Sequence, residues 1–99
     1  MDCYKLDILN RAQKEIDDAF EYYGNIYLSV LQSFDEQLEE VYNRLENNPF
    51  FQFRYKSLRA LPFRTFPYIV FFTIDEKEKT VYIYSVFNTY QSPEKYPKP

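Results

Sequence analysis

"FPYIVFFTIDEKEKTVYIYSVF", Phe66 to Phe87, is the stretch on which the fold turns. Its first nine residues are almost all aromatic or β-branched, the composition of a central strand covered on both faces. The charged "DEKEK" of Asp75–Lys79 then breaks the run and reads as a hairpin turn. From Thr80 the chain alternates. Val81, Ile83, Ser85 and Phe87 fall on one face, and Tyr82, Tyr84 and Val86 on the other. Two antiparallel strands follow from this pattern. Upstream, "FRYKSLRALPF" (Phe53–Phe63) is extended but contains Pro62. Proline cannot donate to a ladder, so this strand is expected at a sheet edge or with a bulge. The three strands form a meander.

Before Pro49 the hydrophobic period changes from two to near 3.6. Leu31, Phe34, Leu38, Val41 and Leu45 step by three and four, with Leu28 and Tyr42 widening the stripe. A helix of about five turns is predicted, ending near Asn47-Asn48-Pro49. Earlier, Ala12, Ile16, Ala19, Phe20 and Tyr23 recur at helical spacing and predict a helix over residues 11–23. Asn10 and Gln13 fit a capping box at its start, a contribution of about 1 kcal/mol, and Gly24 fits the position just past its end. The short link makes the pair an antiparallel helical hairpin. "CYKLDIL" (Cys3–Leu9) alternates, with Tyr4, Leu6 and Ile8 on one side, and reads as a short half-buried strand.

The predicted fold class is therefore α+β, in the order β-α-α-β-β-β. The helical hairpin packs on one face of a small, mostly antiparallel four-stranded sheet, because only the sheet can bury its stripe. The third meander strand is expected to be internal, with the N-terminal strand beside it. Residues 1–99 make one domain, with residues 88–99 as a C-terminal tail.

Composition removes several kinds of chemistry. The chain has no His, so the usual general base near neutral pH and the commonest metal ligand are missing. Its single Gly excludes a glycine-rich phosphate cradle. Its single Cys, Cys3, excludes an internal disulfide or thiolate cluster and reads as a packing thiol in the first strand. No cofactor or metal is expected. No apolar run approaches the ~20 residues of a membrane span, and no signal peptide is recognisable, so a cytoplasmic location is expected. Charge is divided unevenly. Residues 1–48 hold 11 acids and 4 bases, and residues 49–99 hold 4 acids and 8 bases. Between Pro49 and Ile74 stand Arg54, Lys56, Arg59 and Arg64 without an acid. The C-terminal half thus carries a modest positive field and the N-terminal half a negative one.

The order of elements, together with "EYYGN" closing the first helix, "NNP" closing the second, "LRALPFRTFPYIVFF" and the terminal "VFNTYQSPEKY", resembles the RelE/ParE toxin superfamily over residues 4–97. The resemblance implies a toxin of a type II toxin–antitoxin module, with a cognate antitoxin that wraps it and covers the concave sheet face. It implies one of two activities. RelE-like members cleave mRNA on the ribosome; ParE-like members poison DNA gyrase without ribonuclease chemistry.

RNA cleavage by this route needs a base for the 2′-OH, an acid for the leaving oxygen and cations at phosphorus. The "HTxRxP"-like tail of related toxins reads Asn88-Thr89-Tyr90-Gln91-Ser92-Pro93 here. Asn88 and Gln91 stand where His and Arg are frequent, and amides do not transfer protons at neutral pH. Arg59 and Arg64 match the basic positions of the "LRxxPxRxFPY" segment. They are candidates to meet phosphate or an acidic partner from the free side of the sheet, or else are solvated or paired with carboxylates. Lys56 and Arg54 could extend the patch. Tyr82, Tyr84, Tyr90 and Tyr96 could stack on bases, although Tyr82 and Tyr84 fit half-covered sheet positions and Tyr96 fits packing of the tail onto the body. The candidate surface is thus Arg59, Arg64, Lys56, Asn88, Tyr90, Gln91 and Tyr96, with no catalytic residue assigned. A ParE-like toxin directed at gyrase is the preferred expectation. The alternatives are a ribosome-dependent endoribonuclease with an atypical site, and a degenerate member that only binds antitoxin. A monomer and a weak homodimer through the helical hairpin are both open.

Overall fold

The computed structural model describes residues 3–98. Strand β1 (Lys5–Ile8) leads into helices α1 (Asn10–Gly24) and α2 (Leu28–Asn47), followed by β2 (Phe53–Tyr55), β3 (Leu58–Pro62), β4 (Tyr68–Asp75) and β5 (Thr80–Asn88). The sheet order is β1-β5-β4-β3-β2; β1 runs parallel to β5 and every other pair is antiparallel. The class is α+β, with the helical hairpin on one face and the N-terminal strand beside the internal β5, as expected.

The sheet has five strands rather than four. The extended stretch after Pro49 folds back on itself at Lys56-Ser57, with Lys56 in the left-handed region at φ 53°. The turn was masked in the sequence because Lys56 is neither Gly nor Asn, the residues that usually mark such a conformation. The edge is therefore β2, and β3 lies inside it. Pro62 is tolerated because β2 pairs only as far as Phe53 opposite Arg59, so the missing N–H falls where no outer strand asks for it.

The start of α1 also differs from expectation. Leu9 is still extended, its N–H donating to the Ile83 carbonyl at 3.0 Å. The chain turns immediately after it, so Leu9 is the cap and its carbonyl accepts the Gln13 N–H at 2.9 Å. Asn10 is already helical, no capping box forms, and the Gln13 amide donates to Asp17 instead. At the other end Gly24 is the last helical residue, and Asn25 caps in a right-handed conformation.

Ala12, Ile16, Ala19 and Tyr23 of α1 and Phe34, Leu38, Val41 and Leu45 of α2 bury against Leu61, Val70, Phe72, Val81 and Ile83 of the sheet. Gln37, also buried in α2, has both ends satisfied: its amide donates to Thr65 Oγ1 at 2.6 Å and its carbonyl accepts the Thr65 N–H at 3.0 Å. It clamps the β3–β4 loop to the helix. Leu28, predicted on the stripe, overhangs the core and is exposed. Cys3 lies before β1 and is exposed, which corrects its reading as a packing thiol.

On β5 the strict alternation fails. The pairing shifts at Tyr84, which is inserted between Ile83, opposite Phe72, and Ser85, opposite Phe71. Beyond it Val86 joins Val81 and Ile83 in the helix-side core, and Phe87 turns to the far face. That far face is not open. Leu58, Ile69, Phe71 and Phe87 form a second buried cluster, roofed by Tyr55, Tyr84 and Tyr96. The Tyr96 ring lies 4.8 Å from Phe71 and from Phe87, and 5.2 Å from Tyr55. The tail therefore wraps the end of the sheet and seals its centre.

Candidate functional site

The candidate residues fall into four separate places. Arg59, on β3, points to the helix side and is committed there. One of its N–H groups donates to the Phe51 carbonyl at 2.8 Å, and its guanidinium lies 4.1 Å from the Phe53 ring centre and 5.5 Å from that of Phe50. Arg64 lies in the β3–β4 loop against α2, donating to both oxygens of Glu40 at 2.9 and 3.3 Å. Its hydrogen bonds hold the Glu40 carboxyl below the usual range. Neither arginine lies on the far face, which corrects the expectation that both meet a partner from there. Strand alternation puts Arg59 beside Leu61 and Phe72, and Arg64 follows the end of the strand. Lys56 stands 5.2 Å over the Tyr55 ring, and Tyr96 is half-buried under the same residue. Tyr96 is thus a packing residue.

Asn88, Tyr90 and Gln91 do come together. The Thr89 N–H and hydroxyl donate to the Pro67 carbonyl at 2.8 and 3.2 Å, turning the chain off β5. Asn88 then organises the turn: its side-chain oxygen accepts the Tyr90 N–H at 2.9 Å and its carbonyl accepts the Gln91 N–H at 3.0 Å. A single 3-10 turn, Pro93–Lys95, follows, and Arg11 of α1 donates to the Lys95 carbonyl.

These three residues form one wall of a cleft of about 600 Å³. The opposite wall is α1 and the link after it: Glu15, Asp18, Ala19, Tyr22 and Ile26, with Tyr23, Tyr68 and Val86 toward the floor. Glu15 is the structural pivot. Its Oε1 accepts from Ser85 Oγ at 2.7 Å and from the Val86 N–H at 3.1 Å, supplying an acceptor where the bulge displaces β5. Burial, with the neighbouring Tyr23 hydroxyl, pushes the Tyr68 phenol well above its ordinary value. None of the described residues lining the cleft is Lys or Arg. The lining thus offers phosphate no cation, and its two carboxylates are partnered from outside the cleft by Arg11, 3.4 Å from Glu15, and Lys14, 3.0 Å from Asp18.

Glu15, Tyr22 and Ile26 escaped the sequence reading. A signal was available, since Glu15, Ala19, Tyr22 and Ile26 recur at helical spacing along the edge of the core stripe. A smaller cleft of about 340 Å³ lies at the end of α2 by Arg44, Phe50 and Phe51. Among the described residues no cluster of three or more His, Cys, Asp or Glu could hold a metal, and no helix is long and apolar enough to cross a membrane.

A two-helix hairpin on one face of a mostly antiparallel sheet is the fold the resemblance implies, whereas the far face, expected to be free, is closed over by the tail. Comparison with known proteins agrees. The family described as ParE toxin of type II toxin–antitoxin system, parDE, matches over residues 6–93. The chain belongs to this family and is a type II toxin–antitoxin toxin. Among solved structures, a chain described as the chromosomal ParDE TA system from P. aeruginosa superposes with a TM-score of 0.71 at 13% identity, covering 87% of this chain and 96% of that one. At that identity the likeness is one of fold. No curated protein matches.

Proposed function

We propose that this toxin acts by binding a cellular target, in the manner of a gyrase poison, and is neutralised by a cognate antitoxin. One observation carries the reading: the family's terminal motif opens here onto a cleft whose lining has two carboxylates and neither Lys nor Arg, while Arg59 and Arg64 are both engaged elsewhere. Phosphoryl chemistry needs positive charge at the reacting phosphate, and the lining of this cleft supplies none. Asn88, Tyr90 and Gln91 then serve as hydrogen-bonding and aromatic contacts to a protein surface. The working unit is the single domain, with residues 88–99 as its tail, acting in the cytoplasm.

Expression of the chain alone from a tightly controlled promoter tests this. The expected result is growth arrest with an induced DNA-damage response and intact messages, relieved by co-expression of the antitoxin. Cuts in mRNA at codon boundaries would establish the ribonuclease instead. Normal growth with stable antitoxin binding would establish a degenerate member.

A further inference from the structure

The cleft beside α1 has a chemistry that defines what fills it. Tyr22, Ile26 and Tyr90 are 62%, 45% and 86% exposed at its rim, although large apolar side chains clustered around a concavity are uncommon on a monomer without a partner. Two carboxylates accompany them. Glu15 uses Oε1 for Ser85 and Val86, but its outer oxygen has only a long 3.4 Å contact with Arg11. A carboxylate has room for more donors than that. Asp18 pairs with Lys14 at 3.0 Å, on side chains 62% and 77% exposed, a contact that solvent keeps weak and replaceable. Aromatic faces and carboxylates around one space are the chemistry that holds a guanidinium or ammonium group.

The geometry points to this cleft as the seat of an arginine or lysine of the antitoxin, carried beside an aliphatic residue. The cation reaches the Glu15 and Asp18 carboxylates between tyrosine faces, and the aliphatic neighbour covers Ile26 and Tyr22. The acidic α1 favours a basic segment, and the exposed strip continuing over Tyr27 and Leu28 gives an amphipathic segment more apolar surface to follow. The inference deepens the proposed function and rests on it for the identity of the partner.

The test is a titration of the full chain with acetyl-Leu-Arg-Leu-amide, followed by backbone amide resonances. Its citrulline counterpart keeps the shape and removes the charge. The arginine peptide is expected to shift the amides of residues 15–26 and 88–91 in a saturable way. Citrulline, or the Asp18→Asn variant, should bind about fivefold more weakly. The purified toxin–antitoxin complex should not bind the peptide at all. Equal binding of the two peptides, or shifts centred elsewhere, removes the cation site. A complex that still takes the peptide assigns the cleft to another partner and overturns the proposal. None of these readouts uses growth arrest, so failure here and failure of the proposed toxicity are told apart.

Discussion

Glu15 and Ser85, seventy residues apart in sequence, meet at 2.7 Å, with the carboxylate of α1 accepting the hydroxyl of β5. The same oxygen takes the Val86 N–H, so one side chain resolves the irregularity that Tyr84 introduces into the strand. It ties β5 to α1 two residues before Asn88, from which the chain continues to Tyr90 and Gln91.

Glu15→Leu removes that acceptor and leaves the buried Ser85 hydroxyl and the Val86 N–H without it. The expected cost is about 1–3 kcal/mol. Glu15→Gln retains an acceptor oxygen of the same reach and should cost less than about 1 kcal/mol. Urea unfolding midpoints at unchanged slope measure both. Equal losses would mean that the charge, not the hydrogen bond, is what holds the bulge.

Tyr96→Ala should uncover Leu58, Phe71 and Phe87 on the far face. With the ring half-buried, a loss of roughly 2 kcal/mol is expected, together with binding of a hydrophobic dye to the folded protein. Tyr96→Phe keeps the ring and should behave like the parent. An unchanged midpoint for Tyr96→Ala would show that the tail does not seal the sheet.

Arg59 and Arg64 should separate cleanly in stability. Arg59→Ala loses the bond to the Phe51 carbonyl and the contacts with Phe50 and Phe53, an expected cost of about 1–2 kcal/mol, and should speed hydrogen exchange at Ala60, whose N–H bonds Gln52. Arg64→Ala breaks a pair screened by solvent and should leave the midpoint where it was. Comparable effects from the two would contradict the placement of their side chains.

Alkaline pH should weaken the fold through its buried phenols. Burial, reinforced by Glu39 and Asp35, raises Tyr42 from 10.0 to about 12, and Tyr68 is raised as well. In both cases the unfolded chain loses the proton first. The stabilisation is therefore complete below pH 10 and is lost as pH rises above it, for Tyr42 through the interval up to about 12 and for Tyr68 over a range that extends higher. Tyr42→Phe and Tyr68→Phe should each flatten the decline, read from unfolding free energies across that range. A decline unaffected by either substitution would place its origin in other groups.

Much of this architecture could be read from periodicity. The stripe from Phe34 to Leu45 and the apolar run of β4 each have one burial solution, and together they impose helices on a sheet. What escaped was local. Tyr84 shifts the pattern of β5 by one, and no residue type advertises a bulge. Lys56 takes a left-handed turn under a side chain that gives no sign of it. Of the seven residues of the candidate surface, the structure brings Asn88, Tyr90 and Gln91 of the tail motif together at one cleft. The arginines were expected on the free side because they match a motif, and a motif does not say which face of β3 the helices cover. The acidic wall went unseen because Glu15 reads as one more polar residue on a helix until Ser85 is brought against it.

The placement of β5 carries a consequence for synthesis. This strand bonds both β1 and β4 and lies under α1, yet it is made only after the preceding 79 residues. A nascent or prematurely terminated product ending before Thr80 lacks the strand that joins β1 to β4 and lies under α1. Pairing of such distant segments is slow compared with local helix formation. Late in translation there is therefore an interval in which the polypeptide exists but the cleft between α1 and the end of β5 does not.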